Sequence, residues 1–163
     1  MSINPRRLVG PIVVCQQGVH ILALMTEDQI PRVVFLCVHN AGRSQMAAGF
    51  ARHLGGNRVD VLSGGSDPTS AVNPGAVEVM AEVGIDISDS SPQHWTEELV
   101  ATADLVVSMG CADECPLFPG VAYEDWPLAD PAGLPVEDVR VIRDEVRRRV
   151  AQLLISLGIP PET

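Results

Sequence analysis

A five-residue loop between a hydrophobic strand and a helix constrains the fold of this chain more than any other feature. Residues 33–38 form a β-branched run that predicts a buried strand, and residues 45–54 carry apolar side chains at helical spacing. Cys37 stands at the end of the strand and Arg43 stands just before the helix, which gives the pattern Cys-x5-Arg. A strand that passes so directly into a helix is typical of an α/β protein.

The residues of this loop predict a binding site for a tetrahedral oxyanion. Backbone N–H groups of residues 38–42 can turn inward as a nest, and the helix that follows adds the positive end of its dipole. Arg43 can bind two oxygens of an anion through its planar guanidinium group. The same positive environment favours the thiolate of Cys37 over the thiol, so we expect this residue to be a nucleophile at neutral pH.

The other side chains of the loop also have expected roles. Ser44 is predicted to donate its hydroxyl to the thiolate. Asn40 tolerates a left-handed backbone, and Gly42 permits a positive φ or a close approach of the backbone to a ligand. The alternative is that Cys37 is an ordinary buried cysteine, because free cysteine is among the most buried residue types. The predicted oxyanion-binding residues are Val38, His39, Asn40, Ala41, Gly42, Arg43 and Ser44.

Size and charge exclude several classes of protein. With 163 residues the chain is long enough for one domain with a sizeable core and too short for two. Its formal net charge of −10 comes from scattered acidic residues and argues against nucleic acid or an anionic membrane as a partner. An acidic surface is still compatible with an oxyanion site, because exposed charges are screened over about 8–10 Å.

The four cysteines predict thiol chemistry in the cytoplasm. Cys15, Cys37, Cys111 and Cys115 lack the density of a disulfide-stabilised secreted domain. Cys111 and Cys115 have a spacing that zinc ligands also use, but no second Cys or His pair matches it. We therefore predict no metal site.

Residues 1–31 are predicted to be an N-terminal extension outside a domain of residues 32–163. An apolar run after Arg6 and Arg7 is weakly similar to a signal peptide, but Pro11 interrupts it and no small-residue cleavage site follows. We expect either a disordered or loosely docked segment or a start-site artefact, with Met25 as the biological start.

From residue 32 onward, strand and helix patterns alternate, which predicts a parallel sheet covered on both faces. The predicted strands are residues 33–38, 59–63 and 103–109, and the predicted helices are residues 45–54, 74–83, 95–101 and 136–157. Functional sites in such sheets lie at the C-terminal edge of the strands. We therefore expect Cys37 and Cys111 at the same edge.

The last predicted helix is amphipathic. Its apolar stripe consists of Val139, Ile142, Val146, Val150 and Leu153. The opposite side offers the i,i+4 pairs Asp144–Arg148 and Glu145–Arg149. We expect the arginines of this helix to form a solvated face.

The catalytic loop resembles the phosphate-binding loop of the low-molecular-weight tyrosine phosphatase superfamily, and Ser44-Gln45-Met46 is similar to its arsenate reductase branch. Phosphatases of this superfamily usually carry proline where this chain has Gln45. The resemblance covers about residues 33–150 and implies a three-layer α/β fold, with a central four-stranded parallel sheet and helices on both faces. Further similar segments are Ser63-Gly64, Asn73-Pro74 and Ile85-Asp86-Ile87-Ser88.

The resemblance implies three more functional residues. Asp130, in an Asp-Pro pair, matches the general acid of the family. Cys111 and Cys115 match two redox cysteines of the reductases, the second of which precedes a proline. Phosphatases usually place an aromatic residue after the Asp-Pro pair, whereas Ala132 resembles the reductases. Some members hold a potassium ion, but Ala48 stands where a glutamate ligand is expected, so no ion is predicted.

The implied activity is the reduction of arsenate to arsenite for arsenic detoxification, with no bound cofactor. Cys37 attacks arsenic, Asp130 protonates the departing oxygen, and a second thiol resolves the covalent adduct. In one route Cys111 and then Cys115 supply that thiol, and thioredoxin reduces the resulting disulfide. In the other route mycothiol captures the adduct and mycoredoxin, a glutaredoxin-like partner, completes the reaction. Actinobacterial members of the branch, which this sequence resembles, use either route.

Two other classes of function remain open. A low-molecular-weight protein tyrosine phosphatase would use the same loop with water as the acceptor. A non-enzymatic arsenic or redox sensor would hold the metalloid at its thiols, but it would have no use for a general acid at Asp130.

Overall fold

The computed structural model describes residues 29–110 and 117–162. Within these ranges the strands are β1 (Arg32–Cys37), β2 (Asp60–Gly65), β3 (Leu105–Met109) and β4 (Ala122–Asp125). The α-helices are α1 (Arg43–Gly55), α2 (Pro74–Ala81), α3 (Glu97–Ala101) and α4 (Val136–Ser156), and a 3-10 turn spans Gly56–Arg58. Cys15, Cys111, Cys115 and most of the predicted extension lie outside the described residues, so the predicted domain boundary stays a prediction.

The strands form one parallel sheet in the order β2-β1-β3-β4. This confirms the predicted fold class. The central strands β1 and β3 are buried along almost their whole length, as expected for a sheet with helices on both faces. The sequence does not locate β4, because this short strand has the residues AYED, which are half-buried or exposed and lack an apolar run.

Hydrophobic clusters cover both faces of the sheet. Phe35 packs in the cluster that contains α1, α2 and α4, whereas the next residue, Leu36, packs in the cluster that contains Val100 of α3. This alternation follows from the opposite directions of successive side chains in a strand. Trp126 joins the larger cluster, with its ring centroid 5.9 Å from that of Phe35. The three-layer arrangement is therefore as predicted.

The predicted helices are present, with shifted ends. Helix α1 begins at Arg43, two residues before the predicted start, and α2 ends at Ala81. Helix α3 begins at Glu97, and the hydroxyl of Thr96 caps it by accepting from the N–H of Leu99 at 3.1 Å. Among the described residues, no helix is long and apolar enough to span a membrane.

Helix α4 confirms the predicted stripe and corrects two predictions about its charges. The five stripe residues are buried, and Glu145 pairs with Arg149 at 2.7 Å. Arg148, however, also pairs with Glu145, one turn away, while Asp144 pairs with its neighbour Arg143. Arg143 is only 8% exposed and donates to a backbone carbonyl of α2 at 2.9 Å. The prediction of a wholly solvated arginine face is therefore wrong for this residue.

The C-terminal ends of three strands converge at Cys37. This residue pairs in register with Gly65 of β2 and Met109 of β3. A Cβ atom at Gly65 would lie 2.5 Å from the carbonyl oxygen of Val38, so only glycine permits the approach of β2 to the loop after β1. The sheet edge predicted for the site is thus the edge that carries Cys37.

Candidate active site

The sulfur of Cys37 lies inside the loop that follows β1. Cys37 is 2% exposed. Its Sγ accepts from the backbone N–H of Asn40 at 3.2 Å and lies 2.9 Å from the hydroxyl oxygen of Ser44. The loop therefore directs one backbone donor and one hydroxyl group at the thiol, and the predicted contact of Ser44 is present.

The carbonyl groups of the loop are bonded to residues outside it. Those of Val38, His39 and Ala41 accept from backbone N–H groups of the segment that follows β2, at 2.8, 3.2 and 2.8 Å. The carbonyl of Asn40 accepts from the Gln45 side chain at 3.0 Å. These bonds occupy the loop carbonyls, and the backbone N–H of Asn40 donates to Cys37 Sγ. One loop N–H group therefore has the direction that the predicted anion nest requires, and the nest as a whole stays a prediction.

Asn40 holds the conformation of the loop through its backbone and its side-chain hydrogen bonds. It has φ 48°, which confirms the predicted left-handed conformation, and among the described residues no other non-glycine residue has a positive φ. Its side-chain oxygen accepts from the backbone N–H of Gln93 at 3.0 Å and from the Gln45 side chain at 3.3 Å. Its side-chain nitrogen donates to the Ser44 hydroxyl oxygen at 2.8 Å.

The guanidinium group of Arg43 is held beside the pocket. Its side chain is 8% exposed, and Nη1 donates to the carbonyl of Leu128 at 3.2 Å. Gly110, with φ 85°, lies so close that a Cβ atom there would be 2.6 Å from Nη1. The chain therefore leaves β3 directly against Arg43, and Cys111 is the next residue in the sequence.

Asp130 reaches the same pocket from the segment before α4. Its Oδ2 lies 3.6 Å from Nη2 of Arg43 and 3.7 Å from Nδ1 of His39, and its side chain is 42% exposed. Pro131 packs on Gly42, where a Cβ atom would lie 2.4 Å from the proline ring. Gly42 was predicted to permit either a positive φ or a close approach to a ligand; its φ is −127°, and the close approach in the structure is to Pro131.

These residues surround a cavity of about 250 Å³. Cys37, His39, Ala41, Gly42, Arg43 and Asp130 line it, together with residues 69–74 and 131–132. Of the remaining predicted oxyanion-binding residues, Asn40 and Ser44 are fully buried behind the cavity, and Val38 packs its side chain against the smaller hydrophobic cluster. They contribute to the site through the loop backbone and through hydrogen bonds to Cys37.

The sequence did not identify three contributors to the site. The segment 69–74 lines the cavity, and the backbone N–H groups of Thr69 and Asn73 donate to loop carbonyls. Gln45 and Gln93 act on Asn40. The predicted Cys111 and Cys115 lie outside the described residues.

The expectation that no metal ion is bound stays a prediction. No group of three or more His, Cys, Asp or Glu side chains in the described ranges could hold a metal ion. No step is assigned to a metal ion.

The fold and the site define a class of protein: an α/β protein with a parallel sheet, whose thiol lies within the loop between β1 and α1 at the C-terminal edge of the sheet. The chain belongs to the low molecular weight phosphotyrosine protein phosphatase family, whose family model matches residues 32–159.

Its similar proteins include several arsenate reductases. Arsenate reductase 2 of Staphylococcus epidermidis is 38% identical over 122 residues, which are 72% of this chain and 92% of that protein. The glutaredoxin arsenate reductase of Synechocystis is 38% identical over 130 residues, which cover 78% of this chain and 98% of that protein. The solved structure of a thioredoxin-dependent arsenate reductase from Corynebacterium glutamicum is 37% identical, with a TM-score of 0.71, over 82% of this chain and 64% of that chain.

Proposed function

We propose that this chain is an arsenate reductase that converts arsenate to arsenite through a covalent adduct at Cys37. The observation that carries the proposal is that Cys37, Arg43 and Asp130 line one cavity. These side chains are a nucleophile, an anion-binding group and a proton donor, which together suffice to displace an oxygen from a tetrahedral oxyanion. The similarity to arsenate reductases at 37–38% identity supports arsenate as that oxyanion.

In the proposed reaction, the loop N–H groups and Arg43 bind the arsenate oxygens. Cys37 Sγ forms a bond to arsenic as one As–O bond breaks, and Asp130 protonates the departing oxygen, which leaves as water. A second thiol then attacks Cys37 Sγ and breaks the S–As bond. The electron pair of that bond stays on arsenic, so arsenic(V) is reduced to arsenite while two thiols are oxidised to a disulfide.

The surroundings of the cavity favour a small oxyanion over an aromatic phosphate ester. Ala132 follows the Asp-Pro pair, and among the described lining residues there is no phenyl, phenol or indole ring that could stack on a phosphotyrosine. Gln45 occupies the position where the phosphatases carry proline. These features make a phosphatase the weaker candidate.

We propose that Cys111 and then Cys115 are the resolving thiols. Gly110, the last described residue before Cys111 in the sequence, lies against Arg43 of the site. A thiol on the same chain has a high effective concentration at the adduct, which makes the internal relay faster than capture of an external thiol at equal reactivity. The final disulfide would join Cys111 to Cys115.

The external reductant in this proposal is thioredoxin, with mycothiol and mycoredoxin as the second candidate. The thioredoxin-dependent relative from Corynebacterium glutamicum supports the first, and the glutaredoxin arsenate reductase of Synechocystis shows that relatives differ in their reductant. The presence of Cys111 and Cys115 favours the thioredoxin route, because capture of the adduct by mycothiol would not need a second and third thiol on the chain.

Steady-state assays with each donor system test this proposal. Arsenite is measured for the reduced protein with thioredoxin and its reductase, and separately with mycothiol and mycoredoxin. We expect turnover with thioredoxin that Cys37→Ser and Cys115→Ser abolish, and a slower rate in Asp130→Asn. Turnover that depends on mycothiol and persists in Cys115→Ser would contradict the internal relay. It would support the route in which mycothiol captures the adduct. Hydrolysis of phosphate monoesters without arsenite formation would favour the phosphatase, and binding of arsenic without turnover would favour a sensor.

A further inference from the structure

Gln45, in the first turn of helix α1, does not make the hydrogen bond that is usual for glutamine at its position. It is the third residue after the N-cap Gly42, where glutamine often accepts from the backbone N–H of the cap itself. Here its side chain is buried and donates instead to the carbonyl and to the side-chain oxygen of Asn40, at 3.0 and 3.3 Å. Gln45 does not line the cavity and therefore acts on the loop, away from the substrate.

Backbone groups fix the orientation of both amide side chains. The Asn40 side-chain atom that meets the backbone N–H of Gln93 must be an acceptor, so it is the oxygen, and the nitrogen faces Ser44. The Gln45 atom that meets the backbone carbonyl of Asn40 must be a donor, so it is the nitrogen. Both assignments follow from groups that have a single possible role.

This orientation sets the direction of the hydrogen bond to the nucleophile. The Ser44 oxygen accepts from the Asn40 side-chain nitrogen at 2.8 Å. Its own hydrogen is therefore free to point at Cys37 Sγ, 2.9 Å away, where it stabilises the thiolate. If the Asn40 amide turned over, its oxygen would face Ser44 and the Ser44 hydrogen would turn away from the sulfur.

We propose that Gln45 is a positioning residue for the nucleophile: it holds Asn40 in the orientation that makes Ser44 donate to Cys37. Without Gln45, the Asn40 side-chain oxygen keeps only the donor from Gln93, and the carbonyl of this left-handed residue loses its partner. The inference rests on the proposed role of Cys37 as the nucleophile and adds a residue that governs its reactivity.

Alkylation of Cys37 by iodoacetamide tests this role without arsenate. The full-length reduced protein is compared with Gln45→Met, which keeps the side-chain length and removes the donor. Peptide mass mapping separates Cys37 from the other cysteines, and the ultraviolet absorbance of the thiolate provides a second readout. Arg52→Met is the matched control, because Arg52 of the same helix also donates to a backbone carbonyl, that of Val61, away from the cavity.

We expect Gln45→Met to slow Cys37 alkylation roughly tenfold, the effect of weakening one hydrogen bond to a charged sulfur. The thiolate absorbance at neutral pH should fall in parallel, while Arg52→Met leaves both unchanged. Equal alkylation in Gln45→Met and wild type, or equal slowing in both variants, would overturn the proposal. If Gln45→Met does not fold, Gln45→Ala carries the same expectation. If Gln45→Met slows alkylation but the wild-type protein forms no arsenite, the positioning role of Gln45 is supported and the proposed function is contradicted.

Discussion

The hydroxyl group of Ser44 is the side-chain contact on which the Cys37 sulfur most depends. It lies 2.9 Å from Sγ and is buried, so water does not replace it when it is removed. A hydrogen bond to a charged group contributes about 1.5–3 kcal/mol. The nucleophile should therefore be weaker in any variant that lacks this hydroxyl.

We predict that Ser44→Ala lowers the rate of the first chemical step by roughly 10-fold to 100-fold, because the thiolate loses this donor. The pre-steady-state consumption of arsenate, which precedes the release of arsenite, measures the effect. Ser156→Ala is the control, since that hydroxyl donates to the carbonyl of Leu153 at the end of α4. A Ser44→Ala variant with the wild-type rate would show that the hydroxyl does not serve the reaction.

The residues of the loop could be predicted because their roles are set within a short stretch of sequence. Cys37, Arg43 and Ser44 lie where the strand, loop and helix pattern places them, and the left-handed Asn40 follows from its side chain. Gln93 could not be predicted, because it contacts Asn40 across 53 residues of sequence through its backbone N–H. Gly42 has a negative φ, and its close contact is with Pro131, a distant residue that the sequence of the loop does not reveal.

At the scale of the elements, Glu82 and two arginines fasten α4 to α2. Arg143 is buried and donates to the carbonyl of Val79 and to Glu82 at 2.9 and 2.8 Å. Arg140 binds Glu82 from the solvent side at 2.7 Å. Interactions of similar length thus differ in burial, and burial decides what each contributes to stability.

We predict that Arg143→Met lowers the free energy of unfolding by about 2 kcal/mol, because it leaves a buried carbonyl without its donor. The matched variant Arg140→Met should have a much smaller effect, because Glu82 keeps Arg143 and the lost pair is exposed. Urea denaturation of both variants provides the comparison. Equal effects would contradict the assignment of Arg143 to the interior.

Glu145 gives helix α4 a measurable acid sensitivity. Hydrogen bonds from Arg148 and Arg149 lower the pKa of this carboxyl from 4.5 to about 2. The unfolded chain therefore binds a proton more readily, so the stabilisation is fully present above pH 4.5 and is lost as the pH falls toward 2. Glu145→Gln should flatten the decrease of the melting temperature across this window. Parallel melting curves for the variant and the wild type would show that the pair does not stabilise the fold.

Strand β4 shows which elements a sequence pattern misses. The strands β1 and β3 have continuous apolar runs because helices cover both of their faces, and both were predicted. The edge strand β4 has AYED and is held by pairing with β3 rather than by burial. Its position depends on tertiary pairing, which local periodicity does not encode.

At the scale of the whole molecule, the described residues 29–110 and 117–162 contain the sheet, both hydrophobic clusters and the cavity. We predict that a chain that begins at residue 29 keeps the melting temperature and the arsenate turnover of the full chain. Thermal unfolding and the steady-state assay measure both. A marked decrease of the melting temperature or of the turnover would show that residues 1–28 belong to the functional domain.

The negative net charge of the protein is compatible with an oxyanion site, because the hydrogen-bond donors and the arginine that would attract the anion act at short range. The net charge of −10 is spread over the chain, while Arg43 lines the cavity and the Asn40 N–H donates to Cys37 Sγ. Distant charges are screened over about 8–10 Å, so the local donors decide binding. The central claim therefore concerns one loop and the thiols that act on it.

A single turnover of the fully reduced protein with arsenate, in the absence of any other thiol, tests this claim most directly. Arsenite is quantified, and non-reducing peptide mapping identifies the disulfide. Our account predicts stoichiometric arsenite together with a Cys111–Cys115 disulfide, and neither product in Cys37→Ser. The absence of both arsenite and a new disulfide in the wild-type protein would contradict the internal relay.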